Sequence, residues 1–126
     1  MKKFTQVTKD NLLATIECLV ASPKVHSYNV GLTVDVDARH KTYKYFTPSW
    51  PHLVVIKSGL DMDMALKVEK YLFDELTSDK RSTSYKKYRS DSRDSDHVPS
   101  TGGLTSGREY FIYIAWGTKE SYGIGI

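Results

Sequence analysis

The chain has a single cysteine, Cys18, in 126 residues, which excludes an internal disulfide framework and a cysteine-built zinc cluster. Cys18 lies among Leu13, Ile16, Leu19 and Val20, where a thiol is expected to pack rather than react. Long hydrophobic runs are absent as well: no apolar stretch approaches the ~18 residues of a membrane span. The opening Met1-Lys2-Lys3-Phe4 leads into polar residues and is a poor match to a secretory signal. A cytoplasmic protein without membrane contact is therefore expected. His26, His40, His52 and His97 show no metal-ligand spacing. Charge of one sign is also scarce: the formal net charge of +3 is too small to announce a nucleic-acid binder by itself.

What is present suits a single domain over residues 1–126, 40% hydrophobic, with one modest core. Residues 8–21 read as an amphipathic helix with Leu12, Ile16, Leu19 and Val20 on its apolar face, stopped by Ser22-Pro23. Residues 25–32 read as a strand closing at Gly31. Thr33 is expected to cap a second helix running to about residue 46, with Asp35 and Asp37 in its first turn. After the turn Thr47-Pro48-Ser49-Trp50-Pro51, the apolar run at 52–57 predicts a central strand covered on both faces. Ser58 and Asp61 fit a capping box for a third helix over 60–76.

Residues 77–107 have no sustained periodicity and predict a long flexible loop, basic and rich in serine, with six Lys/Arg against four Asp/Glu. Within it, Tyr85-Lys86-Lys87-Tyr88-Arg89 interleaves aromatics with cations, as a single-strand-binding surface would. Ser100-Thr101-Gly102-Gly103 reads as a turn, since it precedes a strand and lacks a P-loop lysine. Residues 109–116 are the clearest strand, rich in aromatic and β-branched residues. The tail, with Gly117, Gly123 and Gly125, is expected to fray or extend an edge. Together these elements predict an α+β fold: a small, mostly antiparallel sheet of three to four strands flanked by three helices.

One residue breaks the pattern. On the third helix Met62, Ala65, Leu66, Leu72, Phe73 and Leu76 fall on one stripe, and Glu69 falls in its middle. Asp63, Lys67, Lys70 and Asp74 already serve the solvent side, so a carboxylate was not needed there for solubility. A buried carboxylate is usually paired, protonated or bound to a metal, because leaving it bare costs several kcal/mol. Arg39 and Tyr43 lie four residues apart on the second helix and share a face.

The order strand–Gly–helix with a cation, strand, helix with an inward carboxylate resembles the GIY-YIG nuclease fold over roughly residues 27–76. Asn29-Val30-Gly31-Leu32-Thr33 is similar to the family's YIG/YVG-x-T strand end, Arg39 takes the place of its helix arginine, and Ala65-Leu66-Lys67-Val68-Glu69 looks like the A-x-x-x-E helix. The resemblance implies Mg²⁺-assisted phosphodiester hydrolysis of DNA or RNA. Glu69 would be the metal ligand, Arg39 the phosphate-stabilising cation and Tyr43 a second helix residue contacting water or phosphate. No GIY strand precedes Asn29, which stands where the family has tyrosine. Tyr28, the nearest tyrosine on that strand, is one residue off and points to the other face unless a bulge intervenes. Tyr110 or Tyr113 could rebuild the missing hairpin from the other end of the chain, giving a permuted sheet. Three functions follow: a metal-dependent endonuclease, a GIY-YIG-like module that binds nucleic acid without cutting it, or a small phage-type protein-interaction or inhibitor protein.

Overall fold

The aromatic run near the C-terminus forms the middle of the sheet. In the computed structural model, which describes residues 6–46, 50–88 and 107–124, β3 (Tyr110–Gly117) lies between β1 (Ser27–Thr33) and β2 (His52–Leu60), antiparallel to both. The helices are α1 (Gln6–Val20), α2 (Val36–Phe46), α3 (Met62–Leu76), α4 (Thr83–Lys87) and α5 (Lys119–Ile124). The fold is α+β with a three-stranded antiparallel sheet, as the patterning predicts.

Side chains alternate across a strand, and this divides β1 and β3 into two faces. Tyr28, Val30 and Leu32 of β1 join Tyr110, Ile112 and Ile114 of β3 in the main core, with Leu12, Ile16 and Val20 of α1 and Ala65, Val68, Leu72, Phe73 and Leu76 of α3. Gly31 and Tyr113, which are register partners, lie out of phase with that set, where α2 meets the sheet. No described helix is long and apolar enough to cross a membrane.

Several expectations are corrected. The 52–57 run is an edge strand rather than a central one: Val54 and Val55 are 40% and 37% exposed. Its ladder to β3 is irregular beyond Val55, and Gly59 takes a positive φ of 73°. An apolar run reports a strand, but neither its burial nor which strand will flank it. The cap of α2 is Asp35, not Thr33: Ala38 N–H donates to Asp35 Oδ1 at 3.0 Å, while Thr33 Oγ1 accepts from Asp35 N–H at 3.1 Å. Asp61 caps α3 in place of Ser58, accepting from Met64 N–H at 2.8 Å, because β2 continues through Leu60. Cys18 is exposed, about half a helical turn round from Ile16 and Val20.

Within the C-terminal tail, Lys119–Ile124 form a short helix rather than an edge extension. Thr118 and Ser121 bond reciprocally at its start, Ser121 N–H to Thr118 Oγ1 at 3.1 Å and Thr118 N–H to Ser121 Oγ at 2.8 Å. The 77–107 segment also holds structure: Ser82 caps α4 by accepting from Tyr85 N–H at 3.1 Å. Ser100-Thr101-Gly102-Gly103 lies outside the described residues.

Gly31 is where the sheet is least tolerant. A Cβ built there would stand 2.7 Å from Tyr113 Cζ and nearer still to its hydroxyl oxygen, so only a bare Cα lets the phenol lie over β1. Gly31→Ala should destabilise by about 1–3 kcal/mol through overpacking. Combined with Tyr113→Leu, which withdraws the ring, the two costs should fall short of additivity in chemical denaturation. Full additivity would show that the two positions do not collide.

Candidate functional site

Tyr113 leaves the central strand opposite Gly31 and passes across the β1 backbone. Its hydroxyl lies 3.0 Å from the Tyr43 hydroxyl of α2, with the rings edge-on at 5.9 Å. Trp50 supports this pair from behind: its ring meets Tyr43 at 5.8 Å, and its Nε1–H donates to Ser27 Oγ at 2.9 Å. Arg39, one turn before Tyr43 on α2, is half-buried. Glu69, on α3, is 7% exposed, so the inward carboxylate expected from the helix stripe is indeed buried.

The electrostatics tie these residues to one point. Burial pushes the Tyr113 hydroxyl far above the usual tyrosine range, the neighbouring Tyr43 pushes the same way, Arg39 opposes them and Glu69 adds to the rise. Tyr88 is raised by burial and then by Glu69, against a hydrogen bond with the Val30 backbone, with Tyr43 adding a smaller rise. Arg39 and Glu69, on different helices, thus both act on the Tyr113 hydroxyl, and Glu69 also acts on Tyr88. At neutral pH both phenols hold their protons and serve as hydrogen-bond donors rather than bases.

Of the residues read from the sequence, the fold sets Tyr43 against Tyr113, which the sequence reading did not place at the site, and Arg39 and Glu69 act on the Tyr113 hydroxyl through their charge. Tyr28 is held elsewhere. It is fully buried on the core face of β1, where its hydroxyl donates to the Ser84 carbonyl at 2.7 Å and burial raises it well above the ordinary range. Tyr110 is likewise a core residue, in phase with Ile112. The period of two, together with the pairing of Tyr113 to Gly31, is the signal that separates Tyr113 from Tyr110.

The Tyr85–Arg89 segment divides differently from a stacking surface. Tyr88 is 3% exposed, its ring set edge-on against Tyr28 at 5.1 Å and Phe73 at 5.9 Å, so it has no face for a base. Lys87 directs its ammonium to the end of α1, donating to the carbonyls of Val20 at 2.6 Å and Ser22 at 3.0 Å, and burial lowers its pKa. Its charge answers the helix C-terminus rather than a phosphate. Lys86 is exposed and Tyr85 half-buried; Arg89 lies outside the described residues.

Among the described residues, no three His, Cys, Asp or Glu side chains gather into a metal cage. A divalent ion at this group would find one protein carboxylate and would take its remaining ligands from water. Glu69 is the residue that would hold it.

Three buried phenols with raised folded-state values make the protein sensitive to alkali. Unfolded, each loses its proton near the ordinary tyrosine value of about 10; folded, each keeps it to higher pH. Their contribution to stability is therefore complete below about pH 10 and is lost as pH rises beyond it. Thermal denaturation midpoints should fall steeply above that pH, and Tyr28→Phe or Tyr113→Phe should soften the slope. A slope unchanged in both variants would show that these hydroxyls are not buried. Comparison of the chain with protein-family models, with curated proteins and with solved structures finds no match.

Proposed function

We propose that the chain is a GIY-YIG-like protein that acts on nucleic acid as a Mg²⁺-dependent phosphodiester endonuclease. In this reading the sheet is permuted, so that the last strand supplies the tyrosine the family carries on its first. The observation that carries the reading is the Tyr43–Tyr113 hydroxyl pair, 3.0 Å apart beside Gly31, on which the charges of Arg39 and Glu69 both act. A structural ion pair alone would not require two tyrosine hydroxyls at 3.0 Å beside it.

Each residue has a chemical task. Arg39, half-exposed at the rim, would meet the non-bridging oxygens of a phosphodiester, where its planar fork suits bidentate contact. Bound at Glu69, Mg²⁺ would supply Lewis-acid stabilisation of the phosphoryl oxygens. Tyr43 and Tyr113 share one hydrogen between their oxygens, which leaves the other phenolic hydrogen to orient an attacking water or a phosphate oxygen. Because burial keeps Tyr113 protonated, it positions by donation.

A second reading, binding without cutting, is favoured by one observation. Tyr113 is 2% exposed and Glu69 7%, so substrate reaches them only if the surface opens, whereas binding needs only Arg39 and cations on the outer surface.

Incubation with single- and double-stranded DNA and RNA in Mg²⁺ distinguishes the two readings. Glu69→Gln should abolish cleavage with the melting temperature held or raised, since a buried carboxylate is costly. Arg39→Lys should slow cleavage by about 10²-fold despite keeping its charge. Cleavage indifferent to both substitutions would sink the site assignment; binding without cleavage in the unmodified protein would select the second reading.

The surface cations give a separate test. If Lys86 contacts a phosphate backbone, Lys86→Met should lower the log–log salt slope of binding by about 0.7–0.9. Lys87→Met should leave that slope alone and cost about 1–2 kcal/mol of stability through the lost α1 contacts. A Lys87 variant that flattened the slope without loss of stability would refute its assignment to α1.

A further inference from the structure

The large hydrophobic side chains that the described residues leave exposed are Val54 and Val55, and both lie on β2. Successive side chains of a strand point to opposite faces. Val54 is the register partner of Ile114, on the main-core side, and Val55 of Tyr113, on the α2 side. β2 pairs with β3 alone, and among the described residues no backbone group of another element bonds to residues 52–60. An element laid on one face of the sheet would cover one valine. A strand laid beside β2 would flank both and satisfy the open edge.

We propose that the β2 edge is a self-association surface, on which a second copy of this chain pairs its own β2 antiparallel about a two-fold axis at Val54. Such pairing keeps each face of the sheet on its own side. It sets Val54 opposite Val54, Leu53 opposite Val55 and His52 opposite Ile56. Every side chain in that span is apolar except His52, whose ring stacks on Trp116 of β3 at 4.3 Å and so leans away from the open edge. Lys57 is the one lysine, arginine, aspartate or glutamate of β2. In this register its two copies fall at opposite ends of the contact, about 20 Å apart at the rise of a strand. Salt screens exposed charges beyond about 8–10 Å, so they do not oppose the pairing.

The rest of the sheet limits how far the assembly goes. The one-to-one ladder to β3 covers His52–Val55 and shifts before Lys57, and an irregularity of that kind ends edge pairing. The opposite edge of the sheet is obstructed: residue 88 bridges to Tyr28, whose hydroxyl also binds Ser84 of α4. Pairing through β2 therefore closes at two copies instead of running on into a fibre. The product is one six-stranded sheet with both Tyr43–Tyr113 pairs on the same side, and it forms whether or not the chain cuts nucleic acid.

Sedimentation of the full chain over rising concentration tests this. The mass should climb from one chain to two and stop there. Val54→Lys sets like charges directly opposite on the axis and should weaken the dimer by on the order of tenfold or more. Ala14→Lys, the same change of charge at an exposed position of α1, should leave it intact. A monomer at every concentration, assembly beyond two copies, or a dimer indifferent to Val54→Lys would each overturn the proposal. A cysteine pair decides the matter if Val54→Lys does not fold. With the exposed Cys18 replaced by serine, Val54→Cys should link two copies on oxidation, because facing residues of an antiparallel pair stand about 4.5–5.5 Å apart, within disulfide reach. Ala14→Cys in the same background should stay unlinked. Failure of the Val54→Cys chain to link, or equal linking of both, would place the contact elsewhere and overturn the axis at Val54.

Discussion

The structure depends on the close approach of one phenol to one bare Cα. Tyr113 crosses β1 at Gly31, and that contact ties the register of the central strand to the geometry of the site. A slip of one residue would bring Ile112 or Ile114 to the partner position and turn Tyr113 into the main core, since the strand period is two. A side chain at residue 31 would lift the phenol off β1 and away from Tyr43. Sheet pairing, the seating of α2 and the cluster of hydroxyls are therefore parts of one packing solution.

Burial shapes what that cluster can do. Within it, phenols are held protonated, because ionising them would place a charge in a poorly solvated interior. Arg39 is the half-exposed cation beside them, and Glu69 the buried anion. The arrangement sets a positive group outermost, with the phenols and the carboxylate buried behind it. The exposed pairs Asp63–Lys67 and Lys70–Asp74, at 3.5 and 2.7 Å on the far side of α3, contribute little beyond solubility.

Helical periodicity made Glu69 legible, because a carboxylate inside an apolar stripe contradicts the stripe. The spacing of Arg39 and Tyr43 was legible for the same reason: residues four apart share a helix face whatever surrounds them. Strand order was not. The runs 52–57 and 109–116 are both apolar, and only tertiary pairing made the second one central. Thr33 and Ser58 have cap-forming side chains, but each belongs to a strand or its end, so the helices begin at the next competent acceptors, Asp35 and Asp61. Tyr28, Lys87 and Tyr88 misled because a sequence shows residue type, while the opposite face of β1 and the end of α1 decide where each side chain is used.

The order of elements along the chain has a further physical consequence. The strand that joins β1 to β2 is contributed by residues 110–117, far in sequence from both. Until it inserts, β1 and β2 have no common partner, Gly31 has no phenol above it and Tyr43 has no hydroxyl to meet. Pairings of such long sequence separation carry a large loop-closure cost before they are rewarded, and they form late in folding. Here that late step completes the sheet and the cluster together. The same insertion that buries Ile112 and Ile114 on one face delivers Tyr113 on the other, so a chain that has not closed its core cannot present the site.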